Sequence, residues 1–85
     1  MPKYNISNGQ NSGYIEVTGD KLTYSLEKMF DTRTNYVQSI EKLQELGLNK
    51  CKARLTYYSL MADLRTAEFI INNNELLGLK KTLGK

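Results

Sequence analysis

The sequence predicts a small α+β protein, mostly α: an N-terminal β-hairpin, a long antiparallel helical hairpin and a short C-terminal helix. Three observations predict it. An alternating segment opens the chain. Apolar residues recur at spacings of three and four through its middle. Gly47-Leu48-Asn49 reads as a helix stop followed at once by a helix start. The 85 residues make one domain, 1–85; domains usually run to about 100–200 residues.

The hairpin is expected over 3–18. Lys3 to Ser7 alternates apolar and polar, and Tyr14 to Thr18 is β-branched and aromatic. Between them, residues 8–13 are rich in Asn and Gly, which tolerate positive φ. A two-stranded hairpin is marginal alone in water, so it must lie on something.

Asp20 then serves as an N-cap, and the first helix is expected over 20–46. Leu22, Leu26, Met29, Phe30, Val37, Ile40 and Leu43 fall on one face, with Tyr24, Lys28, Asp31, Asn35, Gln38, Ser39 and Lys42 opposite, polar apart from Tyr24. The three-residue link at Gly47 requires an antiparallel partner. That partner, a second helix over 50–71, carries the stripe Ala53, Tyr57, Leu60, Leu64, Ala67 and Ile71. Its other side is apolar too: Cys51, Leu55, Tyr58, Ala62 and Phe69. A third, short helix is expected over 75–83, with Lys80 and Lys81 placed to suit its dipole.

Composition excludes most chemistry. The chain has no His and one Cys. It therefore lacks the usual catalytic base, a Ser-His or Cys-His pair, an internal disulfide and a zinc cage. No P-loop or dinucleotide fingerprint accompanies its glycines. The reading is a non-enzyme with no cofactor and no metal. No apolar stretch is long enough to span a bilayer, and the start lacks a signal-peptide core. The lone Cys51 suits a reducing compartment, so the expected localisation is cytoplasmic. Lys outnumbers Arg nine to three and Asn is frequent, as in proteins from AT-rich genomes; small chains of this kind are common in phages and other mobile elements, which makes such a source an expectation.

A chain of this size buries only about 60–65% of its unfolded surface, yet its second helix has two apolar sides to cover. The leading functional reading is therefore a small binding or regulatory protein that works through protein–protein contact and self-association. Its interface residues are Leu55, Tyr58, Ala62 and Phe69. The alternative is a nucleic-acid or phosphate-ligand binder, using the basic start of helix two and the Lys-rich tail. Its anion-binding candidates are Arg33, Lys50, Lys52, Arg54 and Arg65. Arg33 stands out because it falls among apolar residues, where a charge must find a partner such as Asp63 or Glu68. The net charge of +3 divides into −1 over residues 1–46 and +4 over 47–85. Glu41 and Glu45 should therefore neutralise part of the cluster from Lys50 to Arg54.

Overall fold

Strands carry most of the chain. The computed structural model describes residues 2–85. It runs β1 (Lys3–Ser7), β2 (Ser12–Thr18), β3 (Lys21–Ser25), β4 (Met29–Arg33), a 3-10 turn (Thr34–Tyr36), β5 (Val37–Gly47), β6 (Lys50–Tyr58), β7 (Leu64–Asn72) and α1 (Asn73–Leu83). The strands form one antiparallel seven-stranded sheet in the order β4-β3-β2-β1-β7-β6-β5. The fold class is thus mostly β with a single C-terminal helix, not mostly α.

The N-terminal hairpin is present as β1 and β2, and the tail helix as α1. The helical hairpin is not. Residues 20–46 hold β3, β4, the 3-10 turn and β5. Leu22 and Tyr24 alternate in β3 and are buried, with exposed or half-buried neighbours. The helix-like spacing arose because turns interrupt the alternation, one of them closed by the Leu26 N–H donating to the Lys28 carbonyl.

Residues 50–71 hold β6 and β7. Cys51, Ala53, Leu55 and Tyr57 are all buried, and Lys50, Lys52, Arg54, Thr56 and Tyr58 between them face outward. A helix would scatter those four buried residues around its cylinder, whereas a strand puts them on one face. Lys, Glu, Leu and Ala are good helix formers, but side-chain packing decides strand formation in a sheet. Gly47-Leu48-Asn49 does not join two helices either. It is the tip of the β5–β6 hairpin, with Gly47 opposite Lys50 and positive φ at Leu48 and Asn49. Two positive central φ values define the type I′ turn that suits twisted strands.

The order of the strands forces the sheet to curl. β4 and β5 are its two edges, yet only the Thr34–Tyr36 turn separates them in the chain. So short a link reaches roughly 10–14 Å, so the edges must approach each other at that end. Rings close the gap: Phe30 stacks on Tyr24 at 4.7 Å and on Tyr57 at 4.6 Å. The buried Thr32 hydroxyl donates to the Tyr58 carbonyl at 3.3 Å, joining β4 to β6.

The concave face is the core. Ile15, Leu22, Leu55, Phe69 and Ile71 lie at its centre, and α1 covers it with Leu76, Leu79 and Leu83. Burying a side chain of this kind contributes about 1.5–3 kcal/mol. Tyr4 fastens the helix down: its hydroxyl donates to the Gly78 carbonyl at 3.2 Å and lies 2.6 Å from the Thr82 hydroxyl. A side chain on Gly78 would press on the Tyr4 ring, so this mid-helix glycine permits the close approach. The long free edge β5 is interrupted by three register shifts and carries Glu41, Lys42 and Glu45. Such bulges and charges deter edge-to-edge pairing.

Candidate interaction surface

The structure separates the four expected interface residues. Leu55 and Phe69 are fully buried in the core. Tyr58 is partly exposed at the outward end of β6, and Ala62 lies in the loop that follows, with φ +65. Only Tyr58 and Ala62 remain at the surface, and they share one end of the β6–β7 hairpin.

That end is the most apolar part of the outer surface. Leu60 and Met61 are each 83% exposed, and Leu64 and Tyr58, paired across β6 and β7, are exposed beside them. The loop, residues 59–63, is held by its own hydrogen bonds. The Ser59 N–H donates to the Asp63 carbonyl at 2.8 Å, and the Ala62 N–H to the Ser59 carbonyl at 2.9 Å. The Ser59 hydroxyl accepts from the Met61 and Asp63 N–H groups at 3.2 and 3.3 Å. The backbone is therefore pre-shaped, and it holds two large apolar side chains out in water. At the rim, Arg65 pairs with Asp63 at 3.6 Å, so both signs of charge border the patch.

Helical spacing had assigned Leu60 and Leu64 to a buried seam, which hid them as surface residues. The available signal was the break in alternation between Tyr58 and Leu64. A five-residue interruption between two period-two segments is a hairpin loop, and apolar residues inside it have no core to enter.

The anion candidates do not converge. Arg33 is exposed on β4, not embedded in an apolar face, and its guanidinium donates to the Asp20 carboxylate at 2.8 Å. The partners expected for it are engaged elsewhere: Asp63 by Arg65, and Glu68 by Lys52 at 3.4 Å and Arg54 at 3.1 Å. Hydrogen bonding from Arg54 holds the Glu68 carboxyl below its usual range. Lys50, Lys52 and Arg54 do project together from the outer side of β6. Glu41 lies directly opposite Arg54 in the ladder, so the acidic and basic segments meet across a β-hairpin. Among the described residues, however, neither Glu41 nor Glu45 is ion-paired with Lys50, Lys52 or Arg54; Glu68 takes Lys52 and Arg54 instead. At the hairpin turn, Lys42 bonds Glu45 at 2.5 Å, which raises the lysine pKa and lowers the carboxyl's.

Among the described residues no three His, Cys, Asp or Glu side chains cluster as metal ligands. Cys51 is fully buried, and burial pushes its thiol pKa up, away from the reactive thiolate. Among the described residues no helix is long and apolar enough to cross a membrane. No protein-family model matches the chain, and no curated protein matches it either.

Proposed function

We propose that this chain is a non-catalytic protein-binding module that self-associates through the end of the β6–β7 hairpin. One observation carries the reading: a backbone-ordered loop presents Leu60 and Met61 to solvent beside Tyr58 and Leu64. Contiguous exposed apolar side chains with a polar rim mark interaction sites. The occupant is a second copy of the chain. A two-fold contact must match itself, so residue i meets residue j and the reverse. Asp63 and Arg65, both well exposed at the rim, supply the two signs such a contact needs. The apolar centre excludes water and the charged rim sets the register.

Light scattering and sedimentation at micromolar concentration test the reading. A species heavier than 9.7 kDa is expected for the native sequence. Leu60→Asp combined with Met61→Asp should return it to the monomer mass with an unchanged far-ultraviolet spectrum, because neither side chain enters the core. A native monomer at every concentration overturns self-association.

The second reading, a nucleic-acid or phosphate-ligand binder, draws on the adjacent outward placement of Lys50, Lys52 and Arg54. Glu68 neutralises part of that cluster. Salt-dependent binding of DNA or RNA at low ionic strength would favour it. A flat titration removes it.

A further inference from the structure

The sheet has a seam on the side away from the apolar loop. β1 and β7 pair at two positions only, Ile6 with Ile71 and Ser7 with Ile70. The next pair in that register would be Asn5 and Asn72, but the ladder has ended. A cavity of about 320 Å³ lies at the gap, with Asn5, Ser7, Ser12, Lys50, Asn72 and Glu75 on its walls.

These six polar side chains have no partners. Among the described residues, none of them makes a side-chain hydrogen bond or an ion pair with the rest of the protein. Lys50 differs in this from its neighbours, since Lys42, Lys52, Arg54 and Arg65 are all ion-paired. Glu75 differs from Glu45 and Glu68 in the same way. One of its carboxylate oxygens is shielded from solvent and has no donor. Leaving a shielded acceptor unsatisfied is destabilising, and more so for a charged group.

Lys50 and Glu75 line one cavity without touching as an ion pair, so the space is bordered by one unpaired cation and one unpaired anion. We propose that this cavity binds a small zwitterion of the amino-acid class. The ligand ammonium donates to the Glu75 carboxylate oxygen that stays open to solvent, and the ligand carboxylate accepts from Lys50. Asn5, Ser7, Ser12 and Asn72 supply neutral donors and acceptors around the skeleton. The volume sits at the small end of ligand pockets, which fits a single amino acid and excludes a dinucleotide. The site shares no residue with the β6–β7 loop surface, so its test is independent of self-association.

The test is a titration of isotopically labelled protein, followed by amide chemical shifts, with free α-, β- and γ-amino acids as probes. Acetate, a simple alkylamine and N-acetylated amino acids serve as the single-charge arms. The expected result is a saturable shift confined to the neighbourhood of Asn5, Ser7, Ser12, Lys50, Asn72 and Glu75, and about tenfold weaker binding of every single-charge probe, or about 1.4 kcal/mol. Glu75→Gln and Lys50→Met should each produce a similar weakening, while Lys52→Met leaves binding unchanged. Three outcomes overturn the proposal: no saturable response to any zwitterion, equal binding of acetate alone, or binding unaffected by Glu75→Gln. Spectra of the free variants identify any that has misfolded, and the single-charge probes then decide on the native protein.

Discussion

The Phe30 and Tyr57 rings lie face to face, with centroids 4.6 Å apart and planes 13° from parallel. The two residues sit on β4 and β6, which share no ladder. Their contact, continued through Tyr24, holds the curled sheet shut where no backbone ladder runs, beside the single Thr32–Tyr58 hydrogen bond.

Truncating this stack should therefore cost more than removing an ordinary surface ring. Tyr57 is buried, and cutting a buried aromatic to alanine costs about 3–5 kcal/mol. Urea denaturation of Tyr57→Ala should show a loss in that range. Tyr58→Ala, one residue along and facing outward, should lose well under half as much. Equal losses would mean that the stack does not hold the sheet closed.

The β5–β6 turn offers a gain. Leu48 has φ +53 and is 96% exposed. A non-glycine residue in the left-handed region carries about 1–2 kcal/mol of strain, and Leu48 recovers nothing by burial. Asparagine tolerates this region and is favoured in type I′ turns. Leu48→Asn should raise stability by about 1 kcal/mol, seen as a melting temperature about 4–8 °C higher for a domain of this size. An unchanged or lower melting temperature would contradict the strain.

Stability should fall at both ends of the pH range, for different reasons. The Glu45 and Glu68 carboxyls are held below their ordinary value of 4.5, chiefly by hydrogen bonds from Lys42 and Arg54. A lowered folded-state pKa gives stability that is present above the ordinary value and lost as pH falls through the folded one. Burial raises the Tyr24 and Tyr57 hydroxyls above 10.0, so their contribution is lost as pH rises beyond that value. Denaturation midpoints measured across pH should drop below about 4.5 and above about 10. Glu68→Gln should flatten the acid limb and Tyr57→Phe the alkaline one.

Much of the local structure is legible in the residues. Alternation at Lys3–Ser7 and Tyr14–Thr18 marks β1 and β2, and the leucines of 76, 79 and 83 mark one face of α1. Alternation is equally plain from Cys51 to Tyr57. There it competes with a helical stripe running from Ala53 through Leu60 and Leu64 to Ile71. Periodicity alone cannot choose between them, because short apolar runs satisfy both patterns. The structure resolves the choice, since Leu60 and Leu64 are exposed.

The candidate surface was partly legible for the same reason. Tyr58 and Ala62 belong to it, but Leu55 and Phe69 were grouped with them by a helical geometry that does not exist. Leu60 and Met61 emerge as surface residues only when the segment is a loop. The cavity at Lys50 and Glu75 had no local signal at all, since those residues are brought together by the meeting of β6, β7 and the start of α1.

The sequence by itself determined that the chain lacks histidine, holds one cysteine, and places its acidic and basic segments to meet at the Gly47 turn. Those facts follow from residue identity and chain order, and they hold in either secondary structure. Only the tertiary structure decided that the turn joins strands. The two-residue turn at Leu48 and Asn49 lets β5 pair with β6, and β6 then buries Cys51, Ala53, Leu55 and Tyr57 on one side. No isolated segment could have made that choice, because a strand is stabilised by neighbours distant in the sequence. Here the ladders on either side are β5 and β7, and the Phe30 ring of β4 stacks on Tyr57.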